Sequence, residues 1–348
     1  MASKEEIKGI DQEPVSTWLL ANIEGAQAPF SFAPITGGHS NLTYKVTDSR
    51  GRELVLRRPP TGAVLATAHN MAREHRIVKA VGATDVPVPQ ALGLCEDEAV
   101  NGAPFYVMDF VTGVVISDPA TVRATLATDA SRHKLGESVA TVLAKLHAVD
   151  PDVIGLGDLG RKEAYLDRQL KRWQTQWDNS KTRELPAMEQ TYELLIAAKP
   201  EQRYTGIVHG DYRLGNLLAR PDSSVAAVLD WELCTLGDTL ADLGYTLNDW
   251  VEPDGTPALD DVHPTSAGGF QTRAEFVRLY ADLTGRDVSG IDYYRAFQYW
   301  RLAAIVEGVL ARYIKGVMGD PGGDIEDFKK RVDILADAAL VLIRNVVR

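Results

Sequence analysis

The sequence has little cysteine and no long apolar run. Its 348 residues include only two cysteines, Cys95 and Cys234, which lie 139 positions apart. That spacing matches no paired-cysteine metal or redox motif, so we expect neither a zinc site nor a disulfide framework. No apolar run approaches the ~18 residues of a membrane span, and the first residues are charged where a secretion signal would be apolar. These absences predict a cytoplasmic protein that does not bind membranes.

Basic residues are missing from one long stretch of the chain. Between Arg220 and Arg273 lie 52 residues without a lysine or an arginine, and ten of them are acidic. The chain has a net charge of −11, so its other 296 residues together carry only −1. An acidic chain argues against a general nucleic-acid binder, because phosphate backbones require a cationic surface. The acidic stretch itself is compatible with a cationic ligand or with a solvated loop.

The hydrophobic pattern divides the chain into three parts. Residues 1–31 predict a helical lead-in, because apolar side chains recur there at helical spacing. Residues 32–111 predict a small lobe of antiparallel strands with one helix, whereas residues 112–348 are mostly helical. The order predicts an α+β fold with two lobes.

The densest group of reactive side chains follows the short apolar segment 207–208. Asp211 is followed five positions later by Asn216, and Asp230 ends the next apolar segment. Carboxylate and amide oxygens suit a hard cation such as Mg²⁺, and a further acid can accept a proton from an alcohol. This is the order of a base and two metal ligands in phosphoryl transfer by protein kinases. For any one of these residues, a chance turn is the alternative explanation.

Small residues lie between two predicted strands in the segment 36–41, which includes Gly38 and Ser40. Such residues let backbone N–H groups approach a phosphate, although a plain turn would use the same residues. The segment therefore indicates a phosphate-binding loop only in combination with other features.

Arg57 ends the apolar run 54–56, at the place where a kinase carries the lysine that contacts the ATP phosphates. Glu74 lies on the following predicted helix, where the partner of that cation is expected. A solvated surface pair is the alternative, and Arg58 could be the inward-facing cation instead.

These motifs resemble the aminoglycoside phosphotransferase and choline-kinase-like family, whose members share the bilobal protein-kinase-like fold. The similarity runs from about residue 32 to the end, and some motifs look most like the kinase portion of certain acyl-CoA dehydrogenases. The segments that carry it are His209-Gly210-Asp211 with Asn216, Leu229-Asp230-Trp231, Gly237-Asp238, Asp242-Leu243-Gly244, Leu54 to Pro60, Tyr106 to Gly113, and Leu143 to His147.

The resemblance implies roles for individual residues. Asp211 would be the base, Asn216 and Asp230 the magnesium ligands, and Arg57 with Glu74 the phosphate-facing pair. The backbone of Asp109 and Val111 would meet adenine, with Met108 at the gatekeeper position. The implied cofactors are ATP, or alternatively GTP, and Mg²⁺, and the implied partner is a small molecule with a hydroxyl group.

Two departures from protein kinases bear on the function. Arg57 replaces the usual lysine, and a guanidinium binds phosphate through two N–H groups. Asp230-Trp231-Glu232 replaces the Asp-Phe-Gly of protein kinases, which favours a small acceptor over a protein substrate.

Two alternatives stay open at this point. The chain could be a nucleotide-binding pseudokinase that regulates a partner, because the lysine is replaced and the glycine-containing loop matches loosely. As an enzyme, its acceptor could be a hydroxyacyl thioester or a related metabolite in place of an aminoglycoside.

Overall fold

The computed structural model describes residues 7–35, 41–61, 70–252, 263–316 and 325–348. The chain forms two compact units. The first comprises Met1–Gly113 together with Ala226–Glu232, and the second comprises Val114–Val225 together with Leu233–Arg348. A short later segment that contains Asp230 therefore belongs to the first unit.

A five-stranded sheet forms the core of the first unit. Its strands follow the order β1-β2-β3-β5-β4, and every neighbouring pair is antiparallel. Alternating side chains of β2, β3 and β5 point to one buried face, as the two-residue period of a strand requires. The strands are β1 (Ser31–Pro34), β2 (Leu42–Thr47), β3 (Glu53–Arg58), β4 (Ala91–Cys95) and β5 (Phe105–Asp109).

Three helices accompany this sheet. Helix α1 (Gln12–Asn22) buries Val15 and Leu19 in the same core as the sheet. Helix α2 (Met71–Val81) begins after Asn70, whose side chain accepts the backbone N–H of Arg73 and so caps the first turn. Glu74 lies on the buried face of α2, which places a carboxylate on an otherwise apolar stripe. The third helix, α3 (Glu98–Asn101), is a single turn before β5.

The second unit is mostly helical. Its helices are α4 (Pro119–Thr125), α5 (Asp129–Ala148), α6 (Tyr165–Ser180), α7 (Pro186–Ala197), α8 (Leu240–Asn248), α9 (Arg273–Thr284), α10 (Ile291–Ile314) and α11 (Ile325–Val346). Its short strands are β6 (Val114–Val115), β7 (Thr205–Val208), β8 (Leu217–Ala219) and β10 (Thr235–Asp238). Strand β9 (Val225–Val228) runs across the boundary between the two units.

Two features of this unit position the site described below. Strands β7 and β10 pair antiparallel, which fixes the start of the loop that carries Asp211. Helix α8 packs closely on α10 at Gly244, where an added Cβ would lie 2.8 Å from the Cβ of Tyr294. A side chain at Gly244 would push the two helices apart, so this glycine sets the distance between α8 and α10.

The predicted α+β fold class is confirmed, with an antiparallel sheet followed by mostly helical structure. The antiparallel strands predicted for residues 32–111 are present, but the short strands β6, β8 and β10 were not predicted. Within the residues that the structure describes, no helix combines the length and the apolar character needed to cross a membrane.

Candidate functional site

Arg57 gathers three acidic side chains within the first unit. Its Nε lies 3.0 Å from Oε1 of Glu74 on α2, and its Nη2 lies 2.8 Å from Oδ1 of Asp230. The carboxylate of Glu232 is 3.8 Å from the same Nη2. The structure thus brings together the predicted phosphate-facing pair and one predicted metal ligand.

Arg58, the alternative cation, is turned away from these acids. Its Nη1 donates to the backbone carbonyls of Gly9 and Asn101. Successive residues of a strand point to opposite faces, so β3 directs Arg57 and Arg58 to opposite sides. Of the two arginines, Arg57 is the one that faces the acidic cluster.

The Arg57 and Glu74 pair is buried and strongly coupled. Only 13% of the Arg57 side chain and 4% of the Glu74 side chain are exposed. Burial alone would lower the pKa of Arg57, but the charge of Glu74 and its other neighbours raise it above its usual value. Burial raises the pKa of Glu74, and the charge of Arg57 opposes that shift. Tyr106 also donates its hydroxyl to Glu74 at 3.0 Å, so the carboxylate is fixed from two sides.

Asp230, the second residue after β9, adopts a left-handed backbone conformation with φ of 63°. A residue with a side chain pays about 1–3 kcal/mol for such a conformation, so the surrounding structure has to impose it. The carboxylate of this same residue contacts Arg57. The left-handed conformation therefore indicates that the surrounding structure fixes the position of this carboxylate.

The loop after β7 in the second unit is held by its backbone. The Asp242 carboxylate on α8 accepts the N–H of His209 at 2.5 Å and the N–H of Gly210 at 2.8 Å. The ring of His209 in turn accepts the N–H of Asp211 at 3.2 Å. Gly210 has φ of 86°, and a Cβ there would lie 2.9 Å from the carbonyl oxygen of Leu233. The loop therefore requires glycine at this position and a carboxylate at Asp242.

This loop presents Asp211 with both carboxylate oxygens engaged. Oδ1 accepts the Tyr245 hydroxyl at 2.5 Å, and Oδ2 accepts the side-chain amide of Asn216 at 2.6 Å. Arg213 adds an ion pair, with its Nε 3.3 Å from Oδ1. Because Asn216 uses its Nδ2 for Asp211, its carbonyl oxygen is the end that can meet a cation.

A cavity of about 390 Å³ opens beside Asp211 within the second unit. Three arginines and two aspartates contribute to its wall. Its lining residues are Asp211, Arg213, Leu233, Tyr245, Asn248, Asp249, His263, Gln298, Tyr299, Arg301, Leu302, Ile305 and Arg331. It is large enough for part of a small molecule and lies next to the predicted base.

Sequence reasoning did not find Tyr245 or Arg301. Arg301 donates to the carbonyl of Gly210 at 3.1 Å, and its guanidinium lies 5.8 Å from the centre of the Tyr245 ring. The one available signal was that Tyr245 follows Asp242 by three positions, which places both on one face of a helix.

A buried network supports Asp242 from behind. Nδ1 of His147 lies 2.7 Å from the Tyr280 hydroxyl, and its Nε2 lies 3.4 Å from Oδ2 of Asp242. Burial, more than any charge, lowers the pKa of His147 below its usual value, although Asp242 opposes the shift. His147 is therefore neutral near pH 7 in the folded protein.

The remaining predicted residues lie in the first unit or outside the described residues. Met108 is buried in β5, and the N–H of Asp109 donates to the carbonyl of Gln90. Val111 follows β5 and is partly buried. Gly38 and Ser40 lie outside the described residues. The predicted set is thus split, with Arg57, Glu74 and Asp230 in one unit and Asp211 and Asn216 in the other.

Asp230 and Asn216 are the predicted ligands of Mg²⁺. Among the residues that the structure describes, no group of three or more His, Cys, Asp or Glu side chains could hold a metal ion. Mg²⁺ commonly uses one or two protein ligands and completes its shell with phosphate and water oxygens. Asp230 and the amide oxygen of Asn216 have the chemistry that such a shell requires.

Comparison with known proteins points to one family. The family model of the phosphotransferase enzyme family (APH) matches residues 31–279. Acyl-CoA dehydrogenase family member 10 of Mus musculus is 36% identical over 292 residues, which are 83% of this chain and 27% of that protein. The chain spans less than half the length of the first curated relatives it matches.

Solved structures show the same fold. A candidate aminoglycoside phosphotransferase from Ralstonia eutropha is 34% identical, with a TM-score of 0.83 over 96% of this chain and 98% of that chain. A choline kinase from Cryptosporidium parvum is 11% identical, with a TM-score of 0.67 over 97% of this chain and 96% of that chain. These similarities confirm the predicted protein-kinase-like fold and the family resemblance.

The neutral state of buried His147 predicts a dependence of stability on pH. Folding lowers the pKa of His147. As the pH falls below about 6.5, this residue therefore binds a proton in the unfolded chain but stays neutral in the folded chain. The free energy of unfolding should therefore fall with pH there, by up to about 1.4 kcal/mol per pH unit from this residue. In His147→Gln this contribution should be absent, and it should persist in the matched control His133→Gln on the exposed face of α5. Urea unfolding between pH 7.5 and 5.5 measures it, and equal pH slopes for wild type and His147→Gln would contradict the assignment.

Proposed function

The chain belongs to the phosphotransferase enzyme family, and we propose that it transfers the γ-phosphate of ATP to a hydroxyl group of a small molecule. The family and the kinase neighbour support a kinase-type enzyme. The observation that carries the proposal is the Asp211 carboxylate, which is held by Tyr245, Asn216 and Arg213 at the wall of a cavity.

Asp211 would act as the general base in this reaction. A hydroxyl group in the cavity could donate to a free lone pair of the carboxylate, since an ionised carboxyl has about four such sites. Asp211 would orient that hydroxyl and receive its proton as the bond to phosphorus forms. Positioning and charge neutralisation provide most of the catalysis in phosphoryl transfer, so a rigidly held carboxylate suits the task.

Several of the predicted residues would serve the nucleotide and its metal ion. Arg57, fixed by Glu74, would bind phosphate oxygens through its remaining N–H groups. Asp230 and the amide oxygen of Asn216 would hold Mg²⁺. When bound, the cation would offset the negative charge of the phosphates. Met108 and the backbone of Asp109 and Val111 would contact the adenine ring. Gly38 and Ser40 would contact the phosphates.

Replacing Asp211 tests the proposal directly. Asp211→Asn keeps the size and shape of the side chain but removes its negative charge and its capacity to accept a proton. We expect turnover, followed as ADP release, to fall by a factor of about 10² or more. Calorimetric binding of ATP with Mg²⁺ should be nearly unchanged, because Asp211 does not bind the nucleotide in this proposal. Full turnover in Asp211→Asn would refute the role of this residue, and tight binding without turnover in wild type would favour a pseudokinase.

The charge of the cavity favours an anionic acceptor over a polycationic aminosugar. Each aspartate in its wall already has a partner, since Asp211 pairs with Arg213, and Asp249 lies 2.5 Å from Nδ1 of His263. Arg301 and Arg331 add positive charge to the same wall. A hydroxyacyl thioester or a related metabolite combines a hydroxyl group with negative charge and would suit this cavity.

The acidic stretch between Arg220 and Arg273 supports a cationic acceptor less than its charge alone would suggest. Within it, Glu252 pairs with Arg273 at 3.6 Å, and Asp238 accepts the hydroxyl of Tyr294 at 2.6 Å. These carboxylates serve the protein itself. Asp254, Asp260 and Asp261 lie outside the described residues.

A panel of acceptors tests the charge argument. Aminoglycosides, choline-like alcohols, neutral sugars and hydroxyacyl-CoAs should be compared in parallel by ADP release at fixed ATP and Mg²⁺. We expect the highest kcat/KM for a hydroxyacyl-CoA, and a rise of roughly tenfold in its KM for Arg331→Gln. A preference for an aminoglycoside would contradict the anionic assignment while leaving the role of Asp211 intact.

A further inference from the structure

The Tyr245 hydroxyl makes the shortest contact of the Asp211 carboxylate. It lies 2.5 Å from Oδ1, whereas the Arg213 Nε lies 3.3 Å from the same atom. Only 21% of the Asp211 side chain is exposed, so this bond is largely protected from water. A hydrogen bond to an ionised group is about twice as strong as one between neutral groups.

The direction of this hydrogen bond is fixed by chemistry. Burial, with the charge of Asp211 as the next cause, raises the pKa of Tyr245 well above its usual value. The phenol therefore stays protonated. It donates the hydrogen bond, and the carboxylate of Asp211 accepts it. An ionised carboxylate accepts at both oxygens, so the bond from Tyr245 to Oδ1 and the bond from Asn216 to Oδ2 form together.

The tyrosine is anchored to the loop that it serves. The guanidinium of Arg301 faces the Tyr245 ring and also donates to the carbonyl of Gly210, the residue before Asp211. Arg301 is itself fixed, because its Nη1 donates to Oε1 of Gln298 at 2.8 Å. Helix α8 carries Tyr245 and also Asp242, which holds the backbone of the same loop. The contacts of Arg301 and the position of Tyr245 on α8 thus restrict movement of Tyr245 relative to Asp211.

We propose that Tyr245 is a positioning residue that fixes the Asp211 carboxylate towards the cavity for the acceptor hydroxyl. The inference rests on the proposed function of Asp211 as the base. Asn216 and Tyr245 each hold one oxygen, so the plane of the carboxylate is set by two donors. Without the phenol, the longer contact to Arg213, whose side chain is 42% exposed, would be the one left to Oδ1 among the described residues.

Tyr245→Phe removes the donor and retains the ring that Arg301 covers. The first readout needs no acceptor: the ¹³C carboxyl chemical shift of Asp211 at one fixed pH, with the resonance identified by its absence in Asp211→Asn. Loss of the hydrogen bond to Oδ1 should change this chemical shift. The matched control is Tyr192→Phe in the same unit, whose ring stacks on Trp300 and which does not line the cavity.

The second readout is turnover of the acceptor that the panel yields. Tyr245→Phe should lower kcat roughly tenfold and change the acceptor KM by less than about twofold, because the hydroxyl positions the base and does not bind the acceptor. An unmoved resonance in Tyr245→Phe, or an unchanged kcat, would overturn the inference. An active Asp211→Asn would instead refute the proposed function, so the two failures are distinguishable.

Discussion

The two hydrogen bonds from the loop backbone to the buried carboxylate of Asp242 are the contacts on which the rest of the site depends. They fix His209 and Gly210, and therefore the place from which Asp211 leaves the chain. Helix α8, which carries Asp242, also carries Tyr245, whose hydroxyl contacts the Asp211 carboxylate. The distance between α8 and α10 is set by their close contact at Gly244. Neutral His147 and Tyr280 support Asp242 from behind, so a single buried acid links packing of the helices to the geometry of the base.

The first unit uses a second constraint, a guanidinium surrounded by acids. An arginine can contact Glu74 and Asp230 at once through different nitrogens, which the single ammonium of a lysine does less readily. The left-handed backbone of Asp230 brings its carboxylate to Arg57 at a cost that this contact helps to offset. The replacement of lysine by arginine is therefore compatible with an intact site, and this favours an enzyme over a pseudokinase.

Much of the fold and part of the site could be predicted from local signals. The five-residue spacing of Asp211 and Asn216 brought them into contact, because a single 3₁₀ turn, Leu214–Asn216, joins them. The choice between Arg57 and Arg58 could not be made, because both end the same strand and only the packing of the sheet shows which face meets α2. Tyr245 was missed because its contact with Asp211 spans 34 positions. The catalytic, metal and nucleotide roles of these residues stay predictions.

The fate of the γ-phosphate of ATP tests the central claim most directly. The chain would be incubated with Mg²⁺ and ATP labelled at the γ-phosphate, together with the preferred acceptor of the panel. The account predicts that the label is found on the acceptor hydroxyl with the wild-type chain and is absent from it with Asp211→Asn. Label found only in inorganic phosphate, or on the chain itself, would contradict a kinase of a small-molecule hydroxyl.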